Sequence, residues 1–596
     1  MKKTIQDTFS LPIRSSKSLL KESSLKTVFL LGAILGAIGF ICVYGIRVLD
    51  VTYDSWLLNG SDITQHYLGW KFFRQTPWHF PLGLTDALTY PARVSIIYTD
   101  SIPLFAFIFK VLSPILPSVF QYFGLWGLMC FMLHGGLGAA IIRKYTSSTA
   151  VCLLASVFFI ISPPVLQRLF NFYLVSSHSA LAGHWIILFA LFFWVHHDRL
   201  NTIKKQLVAW CVLFALCPLV QSYFFPMIAV IMVGHYLQLA IKTKKVRELV
   251  IVPLAAVCSF CASMYLAGGF YGGVSAAGGG FGAYNANLNA LFHPQGTSDF
   301  IPSFPLIDKE LVNNHGYYEG YAYLGVGIFS LGLVVAVLLL TQRGWLHNRG
   351  VKTSIWTAVK NRIDVIFMIT VSILLAINPV AALGSRVIFS IRWPQRIIDL
   401  FSIFRTNGRL IWPVYYIIVI WLISTLIKHG TKRAVMVIVS ICVLLHVADF
   451  RSQILQRFEH FTTLVTYQSP LRSDAWPVLS KDHFQFAYVR TSDWPHLYGR
   501  ISIYASDHHM VMNTFYLSRD YEKTVAGTIA ENRIAVKNHD PRADHIIFLF
   551  SGMDAIQAEQ YPLHYYKIND IYIGLTQPIE NPLQYKDVEV ISIPQA

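Results

Sequence analysis

Runs of about twenty mostly apolar residues recur along this chain, each long enough to cross a bilayer's hydrocarbon core as a helix. Eleven are read as spans: roughly 27–47, 119–142, 149–167, 179–197, 206–221, 224–241, 249–267, 322–341, 363–379, 411–427 and 434–449. Lipid offers no hydrogen bonds, so such runs must satisfy their backbone internally, and that commits them to helices. Only 13% of the residues are charged and the mean hydropathy is +0.48. Soluble domains carry roughly 25% charged residues. The expected fold class is therefore a polytopic α-helical membrane protein. The formal net charge of +16 does not argue for nucleic acid, because the basic residues sit mostly in short segments between the apolar runs.

That distribution predicts a topology. With the N-terminus inside, the inner segments hold Arg143 and Lys144; Arg199, Lys204 and Lys205; Lys242, Lys244, Lys245 and Arg247; Arg343 to Arg362; and Lys428, Lys432 and Arg433. Residues 1–26 are a basic cytoplasmic N-terminus, and the apolar run from Thr27 reads as an uncleaved signal anchor. Eleven spans then place residues 450–596 outside. The apolar segment 102–117 carries Lys110, Pro103, Pro114 and Pro117, and is expected to lie along the interface rather than cross it. All eight cysteines fall in apolar runs, so no structural disulfide is expected.

The domain plan is thus 1–26, a transmembrane domain over 27–449 whose first outer loop and interfacial helix occupy 48–118, and an extracytoplasmic α/β domain over 450–596. In that last domain Phe484–Arg490, Arg500–Ala505 and His545–Phe550 read as strands, Met553–Gln560 as a helix, and Tyr565–Ile568 with Ile571–Leu575 as a hairpin through Asn569-Asp570. Asp507-His508-His509 has the residue types of a metal ligand set, but reads as ordinary surface. Glycines crowd 268–282, which is expected to be a flexible outer segment, either a gate or a hinge.

Few ionisable groups lie within the spans. The polar residues instead gather at the outer side: Asp62, His66, Asp100, Arg168, Asn171, His178, His184, Gln221, Tyr223, Glu319, Tyr321, Arg405 and Arg409. One outer segment, 380–410, breaks the charge rule with Arg386, Arg392, Arg396, Arg405 and Arg409 and no lysine. Arginine forks suit phosphate; the plainer reading is contact with lipid headgroups or outer carboxylates. Arg405 and Arg409 are four apart and would share one face of a helix. Asp62 is a candidate general base and Asp100 a supporting or metal-binding acid. The plainer reading of each is a helix cap. Arg168, Arg405, Arg409, Glu319, Tyr321, His178 and His184 are candidates for substrate or phosphate contacts. No metal ligand set is assigned, and a divalent metal is left as a possible cofactor.

The order of these parts resembles the GT-C superfamily of membrane glycosyltransferases. Gly60-Ser61-Asp62 stands where its members carry an acid just after the first span. Thr99-Asp100-Ser101-Ile102-Pro103-Leu104 resembles the second acid that precedes a "jaw" helix opening with proline, and 102–117 then corresponds to that helix. The segments Glu319-Gly320-Tyr321-Ala322-Tyr323-Leu324-Gly325 and Phe404-Arg405-Thr406-Asn407-Gly408-Arg409 resemble a bacterial GT-C-like family of unnamed activity. The chain departs from the best-known members: it lacks a contiguous Asp-x-Asp, a Trp-Trp-Asp and the paired prolines after the second acid. The resemblance implies transfer of a sugar from a polyprenyl-phosphate donor to a glycan, lipid or protein acceptor, at the periplasmic face of a bacterial inner membrane. The alternatives are a transporter or flippase of lipid-linked glycans, and a non-catalytic scaffold in envelope assembly.

Overall fold

A computed structural model of the chain describes residues 22–170, 177–244, 246–272, 281–303, 317–347, 361–490, 494–519, 521–559 and 561–592. Among them, seven helices are long and apolar enough to cross a membrane: Ser24–Tyr44, Phe123–Ile142, Thr149–Arg168, Ile203–Val220, Phe224–Thr243, Val246–Leu266 and Asn407–His429. Counting Lys432–Asp449 and Arg451–Thr462, bent by 55° at their junction, as one span makes eight. These helices point to a multi-pass membrane protein. The expected spans near 179–197, 322–341 and 363–379 are apolar helices too, but shorter: Ser179–Val195, Val326–Thr341 and Ile363–Ile377.

The bundle is stitched by close backbone approaches at small residues, the usual means of helix association without a hydrophobic drive. α1 (Glu22–Tyr44) lies against α4 (Phe123–Ile142), where a Cβ on Gly32 or Gly36 would collide with the carbonyls of Gly135 or Phe131. Between them the chain builds α2 (Asp62–Gln75), a two-stranded ribbon of β1 (Leu84–Thr89) and β2 (Ala92–Ser95), and α3 (Pro103–Leu112), which continues into a 3-10 turn at Ser113–Ile115. α3 is too short to span. It exposes Ile108, Val111 and Ile115 on one side and tucks Lys110 over the rings of Phe73 and Trp78, at 3.8 and 4.7 Å. The next helices along the chain are α5 (Thr149–Ile160), α6 (Pro163–Arg168), α7 (Trp185–Val195), α8 (Ile203–Val220), α9 (Phe224–Thr243) and α10 (Val246–Leu266).

β3 (Val380–Leu383) and β4 (Arg386–Ser390) pair as a second antiparallel ribbon. The C-terminal domain holds a six-stranded mixed sheet. It runs β10 (Val588–Ile591), β8 (His564–Ile568), β9 (Ile571–Leu575), β7 (Ile546–Phe550), β5 (Gln485–Tyr488) and β6 (Val511–Met512), with β5 parallel to both neighbours and the other pairs antiparallel. The β8–β9 hairpin turns through Asn569 and Asp570, both at positive φ (48° and 65°), as a two-residue turn of this twist requires. One expected strand is corrected: Arg500–Ala505 belongs to the helix Trp494–Asp507. Its residues Ile501 to Ala505 are all buried, so no face alternates, and a short apolar run with no exposed side looks alike as strand or helix. The sheet does not stand apart from the membrane domain. Leu68 and Phe72 of α2, Leu88 and Val94 of the ribbon, and Phe486, Tyr504 and Phe515 of the C-terminal domain share one hydrophobic core. Gln65 and Gln75 donate side-chain hydrogen bonds to the Tyr516 and Ser506 carbonyls, at 2.7 and 2.6 Å.

Candidate functional site

α2 carries Asp62 at its first position and His66 one turn on, so both lie on one helix face. That face is pressed against the turn holding Asp100. A Cβ on Gly69 would strike Thr99 and Ser101, and the Ser101 hydroxyl donates to the His66 carbonyl at 2.5 Å. The turn itself is forced: Asp100 and Ile102 sit at φ 53° and 52°. A β-branched residue in that region is a genuine outlier, and such strain gathers at functional sites.

The result is a compact acid–imidazole cluster. His178 places Nε2 3.8 Å from an Asp62 oxygen and Nδ1 3.5 Å from Asp100 Oδ2, while Gln221 donates to Asp100 Oδ1 at 2.9 Å. The rings of His66 and His178 stack with centroids 5.7 Å apart. His66, Asp100 and His178 each turn a ligand-capable atom to within 4.8 Å of the others, a grouping able to hold a metal ion. Neither acid caps a helix through its side chain among the described residues: Ser61 holds the N-cap position of α2, and Ile102 that of α3.

The two carboxylates are driven in opposite directions. Burial lifts the Asp62 carboxyl above its usual range; His178 opposes this while Asp100 and Glu319 add to it. Asp100 is buried more deeply, yet His178, His66 and the Gln221 amide outweigh that burial and hold it well below the usual range. Burial pushes the His66 imidazole down to about 3, so it stays neutral.

Asp100 and His178 open onto a cavity of about 550 Å³, within the usual size of small-molecule sites. Arg405, Arg409 and Arg519 also line it, and Phe225, Phe260, Met264 and Phe270 form its apolar side. Only 17% of the apolar stretch of α10, which supplies Phe260 and Met264, is buried within the protein, so that side of the cavity borders the outward-facing surface of the bundle.

Arg405 and Arg409 do converge, but not by sharing a helix face. Arg405 precedes the 3-10 turn Asn407–Ile411 that carries Arg409. The Thr406-Asn407-Gly408 stretch is a tight buttress. Thr406 N–H donates to the Tyr223 hydroxyl at 3.0 Å, and Asn407 donates to the Leu375 carbonyl at 2.9 Å. Gly408 and Gly320 both abut residues 284–286 so closely that a Cβ would come within 2.7 and 2.6 Å of backbone atoms. Those two glycines bring Glu319 and Arg409 together. Arg386, Arg392 and Arg396 remain exposed, beside exposed Val387, Ile388 and Phe389.

Glu319 is the centre of a buried triad. Its Oε2 receives Arg409 Nε at 2.9 Å and Arg168 Nη2 at 2.5 Å. Burial alone would raise the Glu319 carboxyl, but the two guanidinium groups hold it down at about 2. Arg168 is fully enclosed, and of the triad only Arg409 lines the cavity. The remaining candidates lie elsewhere. His184 is buried, bonded to the Tyr416 hydroxyl at 2.8 Å and packed on Trp412. Tyr321 lines a second cavity of about 430 Å³ with Gln167, Gln453 and Arg457. Asn171 and the glycines of 273–280 fall outside the described residues. Asp507 pairs with Lys71, and His508 stacks on Tyr504.

His66, Gln221 and Tyr223 had no role in the sequence reading beyond their outer location. The four-residue offset from Asp62 was the available signal for His66. Arg519 was not singled out at all. It comes from the C-terminal domain, where Ser518 N–H donates to the Tyr98 carbonyl at 2.8 Å and Arg519 Nη2 to the Ile403 carbonyl at 2.6 Å. No spacing rule links residue 519 to residue 100.

No curated protein matches this sequence. A C-terminal domain model of the DUF6311 family matches residues 475–576. The family's main model, described as a domain of unknown function, matches residues 33–451, which is most of the chain, and the protein therefore belongs to the DUF6311 family.

Proposed function

We propose that this protein is a GT-C-type glycosyltransferase that moves a sugar from a polyprenyl-phosphate donor to a cell-envelope acceptor, at the periplasmic face of a bacterial inner membrane. In this reading all eleven apolar helices traverse the membrane region, the three short ones included, with the N-terminus inside and the C-terminal sheet outside. One observation carries the reading: a single cavity joins the Asp100–His178 edge, with Asp62 behind it, to three arginines and to an apolar side facing out of the bundle. A polyprenyl-phosphate sugar has those three parts in that order: a lipid tail, an anionic phosphate and a reacting anomeric carbon.

The chemistry then assigns roles. The acceptor oxygen attacks the anomeric carbon while its proton passes to the Asp62 carboxylate. The bond between that carbon and the phosphate oxygen breaks, and its electron pair leaves with the polyprenyl phosphate. Arg405, Arg409 and Arg519 offset the charge that builds on the departing phosphate. Glu319 does not meet substrate; it positions Arg409.

The test is transfer by the full chain in lipid nanodiscs, with a panel of polyprenyl-phosphate-linked labelled sugars. Product is expected for at least one donor. Asp62→Asn should lower the rate by about a hundred- to ten-thousand-fold while leaving the melting temperature intact. Full activity in Asp62→Asn would remove Asp62 as base. If the wild type carries a labelled lipid-linked glycan across the bilayer without breaking its glycosidic bond, the transporter reading replaces this one.

A further inference from the structure

His66 is the least satisfied side chain of the acid–imidazole cluster. It is wholly buried, and neither ring nitrogen has a hydrogen-bond partner among the described residues. Nδ1 of His178 also makes no full hydrogen bond and stands 3.5 Å from Asp100 Oδ2. Buried polar atoms are nearly always paired, and a group that is not calls for a specific explanation, an ion among them. The surroundings hold these bare atoms in place. The Ser101 hydroxyl grips the His66 backbone, and Gln221 occupies one oxygen of Asp100 while the other faces His178.

We propose that His66, His178 and Asp100 bind one first-row transition-metal dication, of which zinc fits best. Two imidazoles and one carboxylate are the donor set for zinc and its neighbours, whereas magnesium and calcium take oxygen ligands. Three protein ligands leave a coordination position open, and here it faces the cavity that Asp100 and His178 line. Tetrahedral ligands at about 2.1 Å from zinc stand about 3.4 Å apart, so binding draws the three groups inward from their present 4.8 Å envelope. Hydrogen bonding to a metal-binding carboxylate fixes its orientation, which is the part Gln221 plays. The site stands on these residues alone and does not depend on the sugar-transfer reading.

The experiment uses the full chain, purified without a polyhistidine tag. Metal content is measured by mass spectrometry. The metal-stripped protein is then titrated with Zn²⁺, and with Co²⁺ followed by its visible absorption. About one zinc per chain is expected, with a cobalt spectrum of low-coordinate type that millimolar Mg²⁺ does not erase. His66→Asn and His178→Ala should each abolish the cobalt spectrum. Gln221→Ala should keep the stoichiometry but weaken affinity by about ten- to a hundred-fold. Thermal melting of each variant checks its fold, and His178→Ala, at a partly exposed position, provides the test if His66→Asn unfolds. Zinc retained at full stoichiometry in a folded His178→Ala variant would overturn the proposal. So would displacement of cobalt by Mg²⁺, or a folded wild-type chain that takes up neither metal.

Discussion

Two charged clusters lie side by side in this molecule, and they are built on opposite principles. In the triad Arg168–Glu319–Arg409 one carboxylate oxygen takes two guanidinium groups within 2.9 Å, and every member is buried. In the cluster of Asp62, His66, Asp100 and His178 the closest pairings are 3.5 and 3.8 Å, and imidazole nitrogens are left bare. The first cluster is tightly ion-paired around one carboxylate, although Arg168 Nε and Nη1 make no hydrogen bond among the described residues, and of its members only Arg409 lines the cavity. The second holds its groups near one another without letting them satisfy one another. A closed network of this kind fixes backbone, whereas an open one is available for chemistry.

The comparison can be broken most sharply at Glu319. Glu319→Ala strands two buried guanidinium groups, and removing one partner of a buried ion pair costs about 3–5 kcal/mol. A large drop in melting temperature in detergent is expected, with loss of the Arg409 position. Asp62→Asn in the open cluster should leave the melting temperature unchanged or raise it, because it removes a partly buried charge set near two other acids. Equal destabilisation by the two variants would erase the distinction.

A smaller effect is expected at the cavity wall. Arg405→Ala should weaken binding of polyprenyl phosphate by about 1.5–3 kcal/mol, the worth of a hydrogen bond to a charged group. Competition against a fluorescent analogue reads this, with no change in melting. Undiminished affinity would return Arg405 to the exposed arginines of its segment, as a headgroup contact. The smallest effect is on acid stability. Glu319 has a folded value of about 2 against an ordinary 4.5, so the stability it lends is complete above the ordinary value and is lost as pH falls toward the folded one. Melting followed from pH 5 downward should therefore decline more steeply in the wild type than in Glu319→Gln.

Much of this arrangement is visible in the sequence, for identifiable reasons. Apolar runs of bilayer length announce helices because lipid permits little else. Asn569-Asp570 marks a hairpin because few residues accept positive φ in succession. Asp62 and Asp100 were singled out by their places at the two ends of the first outer loop. The rest was not legible because it depends on tertiary approach. Glu319 and Arg409 are ninety residues apart and meet through two glycines pressed on one strand of backbone. Arg168 looked like a phosphate ligand because its enclosure cannot be read from its neighbours. The Arg500–Ala505 segment lost its expected strand to a helix because burial on all sides erases periodicity.

The chain's last domain enters the cavity through Ser518 and Arg519, whose bonds reach the backbone of Tyr98 on one wall and Ile403 on the other. Tyr98 lies two residues before Asp100, and Ile403 two before Arg405. The C-terminal domain is thereby a clasp across the acid-bearing and arginine-bearing sides of the cavity. A displacement of that domain relative to the helices would therefore change the gap between the two sides.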